Sequence, residues 1–162
     1  MADILQEIVA HKRVELEQQK ALVPPRELYA RVERLMADGI RERSMSRALA
    51  DSPYGIIAEF KRKSPSKGWI HEDAQPMDVV PKYAAGGASA LSILTDSRYF
   101  GGTLDFIPQV RASVDIPILR KEFIVDEYQL FEARNAGADA VLLIAACLSK
   151  EECRTLSRTA HD

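Results

Sequence analysis

The sequence predicts an α/β fold of successive strand–helix units with parallel strands. Two observations support this fold class. Short apolar segments alternate with amphipathic helical segments from Gly55 onward, and they are spaced far enough apart for right-handed helical crossovers. The predicted strands are residues 55–61, 88–95, 116–121 and 138–144. The predicted helices that follow them are residues 77–85, 104–113 and 127–136, and one more that begins near Lys150.

The beginning of the chain is predicted to form a helical extension. An apolar stripe at helical spacing predicts a helix over residues 3–22, with Asp3 as its N-cap and Pro24-Pro25 after its end. A second stripe predicts a helix that stops at Asp38-Gly39. We therefore predict two regions, which are a helical extension over residues 1–54 and a strand–helix region over residues 55–162.

The composition describes an ordinary globular protein, long enough for one domain with a substantial core. Of its 162 residues, 46% are hydrophobic and 28% are charged, and the net charge of -2 gives no general attraction to nucleic acids or anionic membranes. No apolar run approaches the roughly 20 residues that cross a bilayer, and the N-terminus is too charged for a secretory signal. Cys147 and Cys153 have no metal-site spacing. We expect a cytoplasmic protein.

Charged residues stand at the end of the first predicted strand. Side chains two positions apart share a face of a strand, so Glu59 and Lys61 point the same way. Placing this pair on a strand of Ile, Ala and Phe is costly unless the two residues pair or bind a ligand. The loop behind them, RKSPSKG over residues 62–68, supplies cations, hydroxyls and flexible backbone, which suit a phosphate group. A structural ion pair beside a solvated basic loop is the alternative interpretation, and this segment does not separate the two.

Two further strand ends carry candidate site residues. Lys121 closes the third predicted strand on the face of its buried residues, and a partly desolvated lysine near a carboxylate can act as a general acid. The alternative for Lys121 is a lysine with a buried stem whose ammonium reaches solvent. Phe100 and Phe123 are candidates for an aromatic ligand wall, with core packing as the alternative. Trp69 is predicted to pack the loop after the first strand rather than to bind a ligand.

The positions of these polar residues distinguish two parallel architectures. An open doubly wound sheet usually has a glycine-rich phosphate turn after its first strand, whereas this chain has SPSKG there. Polar residues at the carboxyl ends of successive strands are typical of the rim of a (βα)8 barrel. We therefore predict the (βα)8 TIM-barrel class, here as the first four βα units with the N-terminal helical extension, ending inside the fourth helix.

Four motifs carry a resemblance to a known family. They are IIAEFKRKSPSKG, SILTDSRYFGGTLDF, ILRKEFIVDEYQ and AGADAVLLIAACLS, in this order. Together with the helical extension, they make essentially the whole chain resemble the N-terminal part of indole-3-glycerol phosphate synthase. The resemblance implies a (βα)8-barrel carboxy-lyase of tryptophan biosynthesis. It would close the ring of 1-(2-carboxyphenylamino)-1-deoxyribulose 5-phosphate with decarboxylation and dehydration, and without a metal or an organic cofactor.

The resemblance also implies roles for individual residues. Lys121 matches the general acid of ring closure, and Glu59 matches the active-site glutamate of the first strand. Lys61 matches the lysine that contacts substrate and phosphate and is implicated in the later proton transfer. The residues that match substrate-binding positions are Ser64 and Pro65 in the loop, and Phe100, Phe123 and Leu142 around the anthranilate ring.

Part of the family pattern lies on strands five to eight, which follow the last residue of this sequence. These strands carry the catalytic base and most of the phosphate-binding backbone in the family. We therefore expect this chain to be inactive by itself, with exposed edges that favour self-association or pairing with a C-terminal half. The expected ligand is a small phosphorylated molecule, with no nucleic acid and no membrane as partners.

Two other functions remain as alternatives. One is a non-catalytic half-barrel that binds phosphates or assembles with another half. The other, with less support, is phosphoribosylanthranilate isomerase, which needs a cysteine–aspartate pair, and this chain has no cysteine at the end of its first strand.

Overall fold

The computed structural model describes residues 4–161, which divide into two compact units. We call residues 42–122 and 136–141 the sheet unit. We call residues 4–41, 123–135 and 142–161 the helical unit. The predicted N-cap Asp3 lies outside the described residues, and the predicted boundary after residue 54 stays a prediction.

The sheet unit is built on a parallel sheet. Its strands are β1 (Ile57–Phe60), β2 (Lys63–Ser64), β3 (Gly68–Trp69), β4 (Ala90–Leu94), β5 (Ile118–Lys121) and β6 (Ala140–Val141). Strands β1, β4, β5 and β6 form one parallel sheet in that order, and β2 and β3 form a small antiparallel hairpin. In the parallel sheet Glu59 lies opposite Ser92, and Leu94 lies opposite Lys121. Directly opposed residues share a face, so this register sets which side chains can meet.

The four predicted parallel strands are present, and each is shorter than predicted. The largest difference is in the fourth strand, predicted over residues 138–144, where ladder pairing is confined to Ala140 and Val141. A single 3₁₀ turn follows at Ala145–Cys147. The apolar pattern continues past Val141, but a strand also needs a neighbour for its backbone groups. Among residues 4–161, β6 is paired on one side only.

The helices follow the predicted order. They are α1 (Ile4–Leu22), α2 (Pro25–Ala37), α3 (Met45–Ala50), α4 (Pro76–Ala85), α5 (Phe106–Arg111), α6 (Tyr128–Ala136) and α7 (Lys150–His161). In the sheet unit, α4 contacts β1 and β4, and α5 contacts β5. Val80 of α4 and Ile107 and Val110 of α5 are fully buried, so these amphipathic crossovers bury their apolar faces as the sequence predicts.

The basic loop after β1 is more ordered than predicted, because part of it forms the β2–β3 hairpin. Trp69 in β3 packs on Gly101, which has φ +64°. A Cβ at Gly101 would lie 2.5 Å from the indole ring, so the contact requires glycine. Trp69 also contacts Arg62 and Lys63 of this loop, as predicted, and the expectation that it does not bind a ligand stays a prediction.

The helical unit has a core of its own. Its buried residues from α1, α2, α6 and the loop before α6 are Leu16, Leu28, Val125 and Tyr128. Helix α7 begins with a capping box, in which Ser149 N donates to Glu152 Oε2 at 2.7 Å and Glu152 N donates to Ser149 Oγ at 3.2 Å. No helix among residues 4–161 is both long enough and apolar enough to span a membrane.

Candidate active site

Two lysine side chains contact the carboxylate of Glu59 at the carboxyl ends of the parallel strands. The ammonium group of Lys121 lies 3.1 Å from Glu59 Oε2, and that of Lys61 lies 3.6 Å from Glu59 Oε1. Ser92 also donates its hydroxyl to Glu59 Oε2 at 3.1 Å. The structure therefore brings together three of the candidate site residues, Glu59, Lys61 and Lys121, and we call these three residues with Ser92 the Glu59 cluster.

Strand register explains how residues so far apart in the chain meet. Glu59 is on β1 and Lys121 is at the end of β5, and β4 lies between these two strands. Ser92 faces the same side from β4, directly opposite Glu59. Its short side chain leaves room for the long stem of Lys121 to reach across β4, and its hydroxyl adds a donor. Ser92 is a site residue that was not predicted from the sequence, although a polar residue inside the otherwise apolar ALSIL strand is a signal for it.

The electrostatics of the cluster favour an ionised carboxylate. Partial burial alone would raise the pKa of Glu59, but the hydrogen bond and charge of Lys121, with smaller effects of Ser92 and Lys61, hold that pKa below its usual value. The two lysines and one carboxylate together carry one net positive charge. Such a cluster can attract an anionic ligand while Glu59 keeps the ammonium groups in place.

Two of the cations in the loop after β1 are hydrogen-bonded to backbone carbonyl groups. Arg62 donates to the carbonyl oxygens of Gly101 at 2.9 Å and of Glu72 at 3.0 Å. Its guanidinium also lies over the ring of Trp69. Lys63 donates to the carbonyl oxygen of Arg98 at 2.9 Å. The suitability of residues 62–68 for a phosphate group stays a prediction, and in the folded chain Arg62 and Lys63 each donate to backbone carbonyl oxygens.

The predicted substrate loop itself lies at the tip of the hairpin. Ser64 is half-buried, and its hydroxyl accepts a hydrogen bond from Lys67 N at 3.3 Å. Pro65 is exposed. The tip offers a ligand the hydroxyl groups of Ser64 and the exposed Ser66, and the exposed Lys67. The substrate-binding role of Ser64 and Pro65 stays a prediction.

The three predicted ring-binding residues belong to different units. Phe100 is half-buried in the sheet unit, and Phe123 and Leu142 are half-buried in the helical unit. Within the helical unit, the buried amide of Gln129 donates to the carbonyl oxygen of Phe123 at 2.9 Å and accepts from Val125 N at 2.8 Å. Gln129 therefore holds the backbone of the segment that carries Phe123. This role of Gln129 was not predicted from the sequence, and the binding of the anthranilate ring by Phe100, Phe123 and Leu142 stays a prediction.

A second charged cluster lies at the amino ends of the parallel strands, opposite the Glu59 cluster. Asp139 precedes β6, and its side chain is only 2% exposed. It accepts hydrogen bonds from Arg111 Nη1 at 2.7 Å, from Arg43 N at 2.7 Å and from Ile118 N at 2.8 Å. Arg111 also donates to the carbonyl oxygens of Val114 and Ile116. We call Asp139, Arg111 and Arg43 the Asp139 cluster.

Neither cluster has the composition of a metal site. Among residues 4–161, no group of three or more His, Cys, Asp or Glu side chains is arranged to hold a metal ion. Cys147 and Cys153 are half-buried residues of the helical unit that form no disulfide bond. What the Glu59 cluster offers is two ammonium groups, a carboxylate and a hydroxyl, which together can bind anions and transfer protons.

Comparisons with known proteins relate this chain to a single family. The sequence model of the family described as "Indole-3-glycerol phosphate synthase" matches residues 5–162. The indole-3-glycerol phosphate synthase of Bacteroides thetaiotaomicron is 55% identical over 162 residues, which are 100% of this chain and 61% of that protein. The proteins of the same name from Rhodopirellula baltica and Azoarcus sp. are 46% and 45% identical, over 98% and 99% of this chain and 60% and 61% of their own lengths. The chain thus spans about 61% of the length of these relatives.

Proposed function

Because the chain belongs to the indole-3-glycerol phosphate synthase family, a family of (βα)8 barrels, we propose that it carries the acid–base lysines of an indole-forming carboxy-lyase. The resemblance carried by the four sequence motifs is confirmed by the family match. The proposed substrate is 1-(2-carboxyphenylamino)-1-deoxyribulose 5-phosphate. The proposed product is indole-3-glycerol phosphate, formed in tryptophan biosynthesis with loss of carbon dioxide and water.

One observation supports this proposal above the others, namely the contact of Lys121 with Glu59 at 3.1 Å. Ring closure joins a carbon of the anthranilate ring to the ketone carbon of the sugar chain, and a proton must reach the ketone oxygen as negative charge develops there. In our proposal the ammonium group of Lys121 supplies that proton. Glu59 holds the ammonium group in place until the substrate is bound.

Lys61 and Glu59 are proposed to act with Lys121. The ammonium of Lys61 would contact the substrate phosphate and take part in the proton transfer that accompanies dehydration. A substrate with a carboxylate and a phosphate brings more negative charge than Glu59 alone, so the lysines can turn from Glu59 to the ligand without losing an ionic partner. The residues proposed to line the substrate are Ser64, Pro65, Phe100, Phe123 and Leu142, as the family motifs imply.

The test is formation of indole-3-glycerol phosphate from the carboxyphenylamino substrate by the purified chain, alone and mixed with a C-terminal half that supplies strands five to eight. Rates are compared in the preparation that shows turnover. Lys121→Ala is expected to lower the rate by about 10²- to 10⁴-fold, the usual contribution of a positioned general acid, while substrate binding is retained. Lys82→Ala is the matched control, because Lys82 is an exposed lysine of α4 in the same unit. Equal rates for the parent chain and Lys121→Ala would contradict the role of Lys121.

A second candidate function is assembly with another polypeptide without turnover by this chain alone. In the described part of the chain, the edge strands β1 and β6 are each paired on one side only, and Ile57 of β1 is 45% exposed. Exposed edges and apolar side chains favour self-association or pairing with a C-terminal half. Sedimentation velocity over a range of concentrations tests this candidate. A single monomeric species at all concentrations would contradict self-association, and absence of turnover by the parent chain would favour this second function.

A further inference from the structure

Thr95 contacts three consecutive residues at the end of β5. Its backbone N–H donates to the carbonyl oxygen of Lys121 at 3.1 Å. Its hydroxyl accepts from Arg120 Nε at 3.3 Å and donates to Glu122 Oε2 at 3.0 Å. A hydroxyl has one proton and two lone pairs, so it can make both bonds at once. Thr95, in the turn after β4, therefore binds the residue that carries the ammonium and both of its neighbours in the chain.

The hydroxyl of Thr95 connects two buried charges. Arg120 is 3% exposed and Glu122 is 4% exposed. The direct distance from Arg120 Nη2 to Glu122 Oε2 is 4.0 Å, which is longer than either bond to the hydroxyl. A buried charge that loses a hydrogen-bonding partner is destabilised and shifts toward another partner. Removal of the hydroxyl is therefore expected to move the side chains and the backbone on either side of Lys121.

Alternation along β5 transmits this effect to the Glu59 cluster. Arg120 points to the helix-covered face of the sheet, and Lys121 points to the opposite face, where its ammonium lies 3.1 Å from Glu59. Lysine has a long, flexible stem, so the position of its ammonium depends on how firmly its backbone is held. A displacement of about 1 Å is enough to reduce catalysis by about 10²-fold.

We propose that Thr95 is a positioning residue for Lys121, whose hydroxyl joins Arg120 to Glu122 and thereby fixes the strand end from which the ammonium reaches Glu59. The consequence for catalysis rests on the proposed function. The positional claim does not, because it concerns the distance between two groups of this chain. The decisive measurement is accordingly made on the chain without substrate.

The measurement is the titration of the Glu59 carboxyl carbon by NMR. Burial raises the pKa of Glu59, and the hydrogen bond from Lys121 is the largest of the effects that lower it, so the titration midpoint reports the position of the ammonium. Thr95→Val replaces the hydroxyl with a methyl group of similar size. It is expected to shift the midpoint of Glu59 upward, while Thr95→Ser, which keeps the hydroxyl, is expected to restore the parent midpoint.

The matched control is Ile93→Val. Ile93 is a fully buried residue of β4, two positions before Thr95, and lies opposite Arg120, but its side chain has no polar group. It is expected to leave the Glu59 midpoint unchanged. Arg120→Lys is a second, more conservative test of the same contact, since it keeps the charge and removes the Nε donor. It is expected to shift the midpoint in the same direction as Thr95→Val, and it remains informative if Thr95→Val does not fold.

The proposal is overturned by any of three results. These are a parent-like midpoint in folded Thr95→Val or in Arg120→Lys, a failure of Thr95→Ser to restore the midpoint, or an equal shift in Ile93→Val. In the ring-closure assay, Thr95→Val is expected to lower kcat by about 10- to 100-fold with little change in KM, and Thr95→Ser to recover most of the rate. A shifted midpoint in a chain that shows no turnover would support Thr95 as a positioning residue and count against the proposed function alone.

Discussion

Asp139 lies at the amino ends of the parallel strands and Glu59 at their carboxyl ends. The two carboxylates are held in different ways. The side chain of Asp139 is 2% exposed, and two of its hydrogen-bond donors are the backbone N–H groups of Arg43 and Ile118. The side chain of Glu59 is 32% exposed and is contacted by the side chains of Lys121, Lys61 and Ser92. One carboxylate is bound by the fold itself, and the other by groups that can rotate away.

This difference separates a structural carboxylate from one that is suited to chemistry. Backbone donors cannot leave Asp139 unless β5 or the segment before α3 moves, so the contacts of Asp139 contribute to the stability of the folded state. The ammonium groups at Glu59 can rotate toward a ligand at small cost, because solvent reaches them. Both sites contain a carboxylate with basic partners, so the number of charges does not distinguish them. Burial and the type of donor do.

The largest expected effect is at the Asp139 cluster. Asp139→Ala is expected to lower the free energy of unfolding by about 3–5 kcal/mol, because it leaves buried donors and the Arg111 guanidinium without their carboxylate. Urea denaturation followed by circular dichroism measures the loss. Asp115→Ala is the control, since Asp115 also pairs with Arg43 but is fully exposed. A change of less than 1 kcal/mol in Asp139→Ala would remove the basis of the comparison.

Arg111→Lys tests whether the geometry of the partner matters as well as its charge. Arg111 donates to Asp139, Val114 O and Ile116 O, and a lysine cannot reproduce this planar set of donors. We expect a loss of about 1–3 kcal/mol in the same urea experiment. Arg47→Lys, an exposed change on α3, is expected to stay within about 0.5 kcal/mol of the parent chain.

Removal of a cation from the Glu59 cluster is expected to lower the stability of the fold only slightly. Lys121→Met removes the ammonium and keeps most of the stem, and Glu59 retains Lys61 and Ser92. We expect the free energy of unfolding to change by about 1 kcal/mol or less, although turnover should be lost. A loss as large as that of Asp139→Ala would show that the Glu59 cluster is also structural.

The smallest effect concerns pH. Because the pKa of Glu59 is lowered in the folded chain, its ionic contacts stabilise the fold above the unfolded-state pKa of about 4.5 and stop doing so as the pH falls through the folded-state value. Comparing Glu59→Gln with the parent chain by urea denaturation from pH 3 to pH 7, we expect a small, constant parent advantage near neutrality that disappears in acid. Glu72→Gln, an exposed change, should show no such difference. A parent advantage that grows in acid would have the wrong sign.

Local patterns were enough to predict the order of the elements and part of the site. The alternation of apolar strands and amphipathic helices predicted the parallel sheet, and strand parity predicted that Glu59 and Lys61 share a face. The same reasoning made the strands too long, above all β6, because hydrophobicity does not record where a ladder partner ends. It also missed Ser92 and Gln129, whose roles depend on which distant groups lie opposite them.

The sequence by itself therefore determined the fold class, the family and the residues at each strand end, since all three depend on the identity and spacing of side chains. Only the tertiary structure decided which groups each cation contacts. In the sequence, Arg62 and Lys63 cannot be distinguished from Lys61 as candidate ligand-binding cations. In the folded chain, Arg62 donates to the backbone carbonyls of Gly101 and Glu72, and Lys63 donates to that of Arg98. Every residue has a carbonyl group, so no residue pattern shows which one a cation will meet, and only the folded chain brings them together.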